Sequence, residues 1–423
     1  MAKRNATTTA ARSRTRRQQR GSPSPAAGVA ASGDISIDEH RADNLVSQML
    51  VIPGKSGDEA AIASFVQNQL RQAGIRASDI KSDAAHRRTP LRGNTGNLVC
   101  KLPGTRRGPR RLLMAHLDTV PVCVGAQPVR QGDWIRSGHP QRGIGADDRA
   151  GAAVVLHTAL EILRQKIPHP PLTFCWMVQE EVGLQGARYL NHGLLGRPRL
   201  AFNFDGGAPD KLTIGATGGY RVEIEIQGKA SHAGCAPEMG VSAIAIAGIA
   251  IADLVRHGWH GTVHKGKRSG TTNIGYIQGG EATNVVTENV KLRAEARSHD
   301  ATFRKRIVRE MEKAFQRAAA QVTNVTGESG RVVFKGHLDY EAFRISTKDP
   351  SLLAAERAVH SVGRQPVRTI TTGGLDANWM TSRGIPTVSI GAGQLNQHMV
   401  TEALDLVAFR DACRIAMHLA LKD

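Results

Sequence analysis

Several short apolar runs in this chain end in the residue types that bind metals and move protons. "RLLMA" is followed by His116 and Asp118, "LTFCWMVQ" by Glu180 and Glu181, and "LAFNF" by Asp205. "IPTVSIG" leads into a loop with His398 and Glu402, while Asp147 and Asp148 stand in "GIGADDRAGAAVVL", just ahead of a helical pattern. His116 and Asp118 are two residues apart, so on a strand their side chains share a side. Each group alone has an ordinary explanation. His116 and Asp118 fit a strand end and a turn, Asp147 and Asp148 a helix N-cap, Glu180 and Glu181 a solvated turn, and Asp205 an Asx turn. Taken together these explanations strain, because carboxylates crowded at one rim repel strongly unless something cationic neutralises them. Divalent metal meets that need, and mixed nitrogen and oxygen donors are a set that zinc accepts.

The elements that must carry these groups follow from the patterning. Between about residues 36 and 210, helical stretches alternate with buried-strand stretches. "DEHRADNLVSQMLVIP", "GDEAAIASFVQNQLRQAGI" and "GAAVVLHTALEILRQ" have helical spacing; "NLVCKLPG", "RLLMAHLD", "LTFCWMVQEE" and "LAFNFDGG" read as strands. This predicts an α/β domain with a mostly parallel mixed sheet flanked by helices, its functional groups beyond the carboxyl ends of the strands. Near Leu212 the pattern changes. "GYRVEIEIQGKASHAG" alternates apolar and charged residues, and an apolar helix over 241–255, two strand-like runs, a second helix and a last strand follow. The order β-α-β-β-α-β predicts an inserted α+β, ferredoxin-like domain over 212–343. Residues 34–211 and 344–423 are then the two parts of the α/β domain, the catalytic one if the polar groups at its strand ends do chemistry.

Bulk properties exclude other classes. A chain of 423 residues exceeds a usual single core. The five cysteines are scattered with no C-x-x-C pair, which argues against a disulfide framework or zinc knuckle and favours a reducing, cytoplasmic compartment. Net charge is +19, and seven basic residues with no acid fall in residues 1–33. That stretch lacks large apolar residues and is expected to be a disordered tail, at most a tether for polyanions. No aromatic-studded basic face accompanies the charge, so specific nucleic-acid binding is not expected. No hydrophobic segment follows the Arg16 and Arg17 pair, so no secretory signal is expected. The longest apolar stretch, 241–255, is too short to span a bilayer, and no membrane partner is expected.

In order, "HLDTVP", "GADDRAG", "QEEVG", "FDGG", "SHAG", "NVVTENVKLRAEAR" and "QHMVTE" closely resemble the M20 metallopeptidases, a zinc-dependent clan of amidohydrolases. The spacing of "GADDRAG" and "QEEVG", with the "TTGGLDAN" segment, looks most like the peptidase T (tripeptide aminopeptidase) branch. The resemblance implies a zinc-exopeptidase-like fold whose inserted domain is a lid and dimerisation unit. It implies two Zn2+ per subunit, with Co2+ or Mn2+ as substitutes. His116 and Asp205 would bind one ion, Glu181 and His398 the other, and Asp147 would bridge them. Asp118 would fix the His116 ring, a cis peptide would precede Asp148, and Glu180 would be the general base. His232 in "ASHAG" would reach the partner subunit's active site as an oxyanion donor, which implies a functional homodimer. Asn284 and Arg297 match residues placed on substrate carboxylate or carbonyl. Their odd separation calls for a bulge or twist, and a structural strand arginine is the alternative. Gly374 lies in "TTGGLDAN", similar to the family's substrate loop, where the sequence departs from the peptidase T pattern. The implied activity is hydrolysis of amide bonds in short peptides, releasing the N-terminal residue of tripeptides. Alternatives are a dipeptidase, a carboxypeptidase, an N-acyl-amino-acid deacylase, or a binding homologue without catalysis. The retained Glu180 argues against the last.

Overall fold

The computed structural model describes residues 36–422; the basic stretch 1–33, expected to be disordered, lies outside them. A nine-stranded sheet organises the larger part of the chain. Four of its strands run parallel, in the order Leu172–Met177, Arg111–His116, Leu200–Phe204 and Thr387–Ile390. Antiparallel neighbours flank them: Leu98–Leu102 and Ile80–Ser82 on one side, Lys211–Ala216 and Phe343–Arg344 on the other. Val367–Thr371 pairs parallel with Lys211–Ala216. Arg111–His116 and Leu172–Met177 are buried at every position. Covered on both faces, such strands read as unbroken apolar runs rather than as alternation.

Helices cover both faces. Ala146–Gln165 packs on the parallel strands, with Glu39–Leu50 and Leu406–Leu421 against it. Its approach is close because Gly151 has no side chain; a Cβ there would collide with the Phe204 carbonyl oxygen. Fully buried Trp176 donates its indole N–H to the Ala152 carbonyl at 3.1 Å, locking helix to sheet. Asp147 and Asp148 have non-helical backbone angles, and Asp148 Oδ1 accepts the Gly151 N–H at 3.1 Å. Asp148 therefore caps the regular helix that follows it. On the opposite face Met380, from the short helix Asp376–Ser382, joins Leu112, Met114, Cys175 and Met177 in one cluster.

The chain leaves this sheet after Ala216 and re-enters it at Phe343. Between them lies a separate antiparallel sheet in the order Gly261–Lys265, Arg268–Gly279, Asn289–Ser298, Gly218–Gln227, Arg331–Tyr340. Two helices, Ala243–Arg256 and Ala301–Gln321, share its core. Ile246, Ala250, Phe303, Ile307 and Phe315 pack with Val222, Ile224 and Leu292. Three details differ from the pattern-based reading. Gly261–Lys265 is an edge strand beyond the expected β-α-β-β-α-β order. Lys211–Ala216, assigned from 212 onward to the insertion, pairs in the larger sheet, because charge alternation begins only after Gly218. Asn284 precedes Asn289–Ser298 rather than lying within a strand.

A third, four-stranded sheet joins Gln394–Leu395, Ala403–Asp405, Trp134–Ser137 and Pro128–Gln131, and it was not foreseen. Strands of two to four residues are too short for a period to register. No helix among the described residues is long and apolar enough to cross a membrane.

The two chain crossings between the larger sheet and the insertion meet at one residue. Fully buried Asn378 donates to the carbonyls of Thr217 at 3.0 Å and Glu341 at 2.7 Å, and its Oδ1 accepts the Leu375 N–H at 2.9 Å. Asn378→Ala leaves three backbone groups without these partners. It should lower stability by about 2–4 kcal/mol, read from urea denaturation; an unchanged midpoint would show that the clamp contributes nothing.

Candidate active site

Three of the four parallel strands deliver polar residues to one rim. His116 is the last residue of its strand, Asp205 follows Phe204 directly, and Glu180 and Glu181 follow Met177 after a short turn. His398 lies between Gln394–Leu395 and Ala403–Asp405, the hairpin of the third sheet. Asp147 comes from the entry to helix Ala146–Gln165. Donor atoms of His116, Glu180 and Glu181 lie within 4.8 Å of one another; so do those of His116, Asp148 and Asp205, and those of Asp147, Glu181 and His398.

Asp147 sits at the middle. Its Oδ1 is 3.3 Å from His116 Nε2, its Oδ2 is 3.4 Å from His398 Nε2, and His398 Nε2 is 2.9 Å from Glu181 Oε1. Tetrahedral zinc with nitrogen and oxygen ligands at about 2.0 Å sets adjacent donor atoms roughly 3.3 Å apart. One carboxylate thus presents a separate oxygen to each of two histidines at ligand spacing. Asp147 Oδ1 and Glu181 Oε1 are buried without a hydrogen-bond donor. Unsatisfied buried oxygens facing imidazole nitrogens fit a pair of divalent cations, and the His/Asp/Glu set is one that zinc takes.

Other carboxylates hold backbone instead. Asp118 accepts the N–H groups of Glu180 at 2.9 Å and Glu181 at 3.1 Å, and the Ser56 hydroxyl at 2.6 Å. His116 Nδ1 lies 3.1 Å from the Asp118 carbonyl and 3.4 Å from its carboxylate. A proton on Nδ1 leaves Nε2 as the free donor. Asp148 accepts the His116 N–H at 3.1 Å and the Gln394 side-chain amide at 2.9 Å, and a cis peptide joins Asp147 to Asp148. Glu402 gathers the N–H groups of Ile144 at 3.0 Å, Gly145 at 2.6 Å and Asp147 at 3.0 Å. Gly145 has φ +71° and a Cβ there would lie 2.9 Å from the Thr119 methyl, so glycine suits both the turn and the space.

Burial disfavours a charged His116 ring, yet Asp118 and Asp147 outweigh it and hold its pKa well above the usual value. The carboxylates of Asp147 and Glu181, facing its ring, lift His398 to about 10. Burial, reinforced by Asp147, raises Asp205 to about 7. Burial also raises Glu181, and holds Glu180 well above the carboxylate range with Glu181 and Asp205 adding to it. The cluster therefore carries protons near neutrality that an incoming divalent ion displaces. Zinc affinity should rise with pH and fall as pH drops through neutrality. Calorimetric titration of zinc into chelator-stripped protein, in buffers of different ionisation heat, should show about one or more protons released per ion. Affinity independent of pH would contradict this electrostatic picture.

The structure does not bring every expected residue to this cluster. His232 and Asn284 are exposed and adjacent: a β-bridge joins His232 to Val285, and the Ala233 N–H donates to the Asn284 carbonyl at 2.9 Å. They lie beyond the Gln227 and Asn289 end of the insertion. Arg297 lies at the opposite end of the same strand, about 25 Å away at strand rise, paired through two 3.0 Å bonds with Glu295. Gly374 meets the Tyr340 ring so closely that a Cβ would overlap it. Ser56 escaped the sequence reading, and so did the backbone-holding role of Glu402. Asp376 was also missed: it is almost fully buried, neither carboxyl oxygen has a partner, and burial pushes it to about 8. Only its place in "GGLDAN" hinted at it.

Known proteins share this architecture. A tripeptidase structure from Staphylococcus aureus superposes with TM-score 0.81 at 30% identity, covering 91% of this chain and 98% of that one. An aminopeptidase PepT structure from Bacillus cereus gives 0.77 at 29% identity, with coverage of 91% and 98%. Carboxypeptidase G2 of a Pseudomonas species is 28% identical, covering 80% of this chain and 78% of that protein. The profile of "Peptidase family M20/M25/M40" matches residues 112–422. With that match and a His/Asp/Glu cluster suited to two zinc ions, the chain belongs to peptidase family M20/M25/M40 and is a zinc-dependent metallopeptidase.

Proposed function

We propose that the chain is an aminopeptidase of short peptides, releasing the N-terminal residue of tripeptides. The observation that carries its hydrolytic chemistry is Asp147, whose two oxygens each face a different histidine at ligand spacing beside the buried Glu180. Likeness to a tripeptidase and to aminopeptidase PepT supports the substrate class. His116 and Asp205 would hold one ion, Glu181 and His398 the other, with Asp147 shared between them. Bound zinc supplies Lewis acidity, polarising a carbonyl and lowering the pKa of water.

The chain's own residues do the rest. Glu180 takes a proton from water as the water oxygen bonds to the scissile carbonyl carbon, then gives it to the amine nitrogen as the C–N bond breaks and the amine leaves. A carboxyl whose proton affinity is raised by burial suits both halves of that transfer. Asp118 holds the N–H groups on which Glu180 and Glu181 are hung and, through its carbonyl, the tautomer of His116. Arg297 would exchange Glu295 for a substrate carboxylate, with Gly374 lining the loop beside it. The distal, exposed position of His232 and Asn284 supports their acting in the partner's site of a homodimer. The strand order of the insertion supports reading it as a ferredoxin-like unit with one added edge strand, which would be the lid and dimerisation domain. Five free cysteines support a cytoplasmic setting.

A carboxypeptidase is the second reading, favoured by the likeness to carboxypeptidase G2. Tripeptides with free and acetylated amines separate the two. Turnover of the free-amine peptide with release of its first residue is expected; preference for the blocked peptide would overturn the aminopeptidase assignment. Glu180→Ala should retain zinc, measured by elemental analysis, and lose about 10²–10⁴-fold in kcat.

A further inference from the structure

One buried carboxylate near the cluster has no part in the chemistry above. Glu59 is fully buried and precedes helix Ala60–Gln72. Its Oε1 accepts the N–H of Gly57 at 2.8 Å and that of Gln179 at 3.0 Å, 120 residues further along the chain. Gln179 has φ +56°, a left-handed conformation that residues with a side chain rarely adopt. It is the residue that turns the strand Leu172–Met177 into Glu180 and Glu181. The next two N–H groups go to Asp118. Three successive N–H groups, of residues 179, 180 and 181, are therefore held by two carboxylates from two separate segments.

The segment that carries Glu59 is itself tied to the exit of the His116 strand. The Thr119 N–H donates to the Gly54 carbonyl at 3.1 Å, Lys55 and Thr119 form a bridge, and Ser56 donates to Asp118. Buried Arg149 donates to the same Gly54 carbonyl at 3.3 Å, so a cation backs the acidic brace. Residues 54–59 thus span the two strand ends that deliver His116 and the Glu180 and Glu181 pair. They lie outside the stretch matched by the family profile.

We propose that Glu59 is a positioning residue: by accepting the Gln179 N–H it holds that residue left-handed and so sets where the Glu180 and Glu181 carboxylates point. This rests on the reading of Glu180 as base and Glu181 as metal ligand. Without the acceptor, Gln179 relaxes toward an ordinary backbone conformation, and the next peptide rotates with it. A displacement of the order of 1 Å in such a site costs about 100-fold in rate.

The test uses the full chain, loaded with zinc for kinetics and with cobalt for visible absorption, which reports the geometry of the metal ligands. Glu59→Ala should lower kcat by about 100-fold, leave KM nearly unchanged, and alter the cobalt spectrum. Glu59→Gln keeps an oxygen in the same place and should recover most of the rate and the wild-type spectrum. Glu59→Asp keeps the charge but falls short of Gln179; it should behave like the alanine variant, and serves in its place should that variant not fold. Wild-type kcat and spectrum in Glu59→Ala or Glu59→Asp would overturn the proposal, as would equal loss in Glu59→Gln. The cobalt spectrum needs no substrate, so an error in the substrate reading shows in the wild-type enzyme alone and leaves this test intact.

Discussion

Buried negative charge must be met by hydrogen-bond donors or by cations, and this requirement organises the rim of the larger sheet. The carboxylates divide into two sets according to how they meet it. Asp118, Asp148 and Glu402 each collect backbone N–H groups. Asp147 and Glu181 keep oxygens that find no donor and face imidazole nitrogens instead. The first set holds the backbone still. The second is left free for metal.

The division also explains how distant segments come to share a site. Each backbone-holding carboxylate joins two parts of the chain: Asp118 joins the His116 strand end to the Glu180 turn, Asp148 joins the helix entry to His116, and Glu402 joins the third sheet to the loop bearing Asp147. A parallel sheet brings its carboxyl ends to one edge but leaves the emerging loops unpaired. The backbone N–H groups of those loops need acceptors, and the acids supply them. Mutual repulsion among the acids is thereby reduced without any of them leaving the site.

The insertion obeys a different constraint. Its sheet has one face covered by two helices, so its strands alternate, whereas the central strands of the larger sheet do not. The two units meet where Asn378 holds both crossing strands. Tyr340, beside that crossing, packs over Gly374 and Gly219, which ties the loop bearing Gly374 to the base of the insertion. Arg297 pairs in register with Gly219, so it too belongs to this junction.

Much of this was legible in the residues. Unbroken apolar runs ending in His116, Glu180, Glu181 and Asp205 announced a parallel sheet with polar groups at its carboxyl ends, because strands covered on both faces leave chemistry only at their ends. The helix-capping explanation for the adjacent aspartates was also sound, since Asp148 caps while Asp147 turns to the cluster. Glu402 stood in view beside His398, yet nothing local says that its partners are the N–H groups of residues more than 250 positions earlier. The third sheet left no period to read because its strands are so short, and Asn284 was drawn into a strand that begins only at Asn289. Local patterning is set by neighbours along the chain, so it revealed which residues are buried and which elements they form. Which acid meets a backbone donor and which is left for a cation depends on contacts between segments far apart in sequence, and those exist only once the chain has folded.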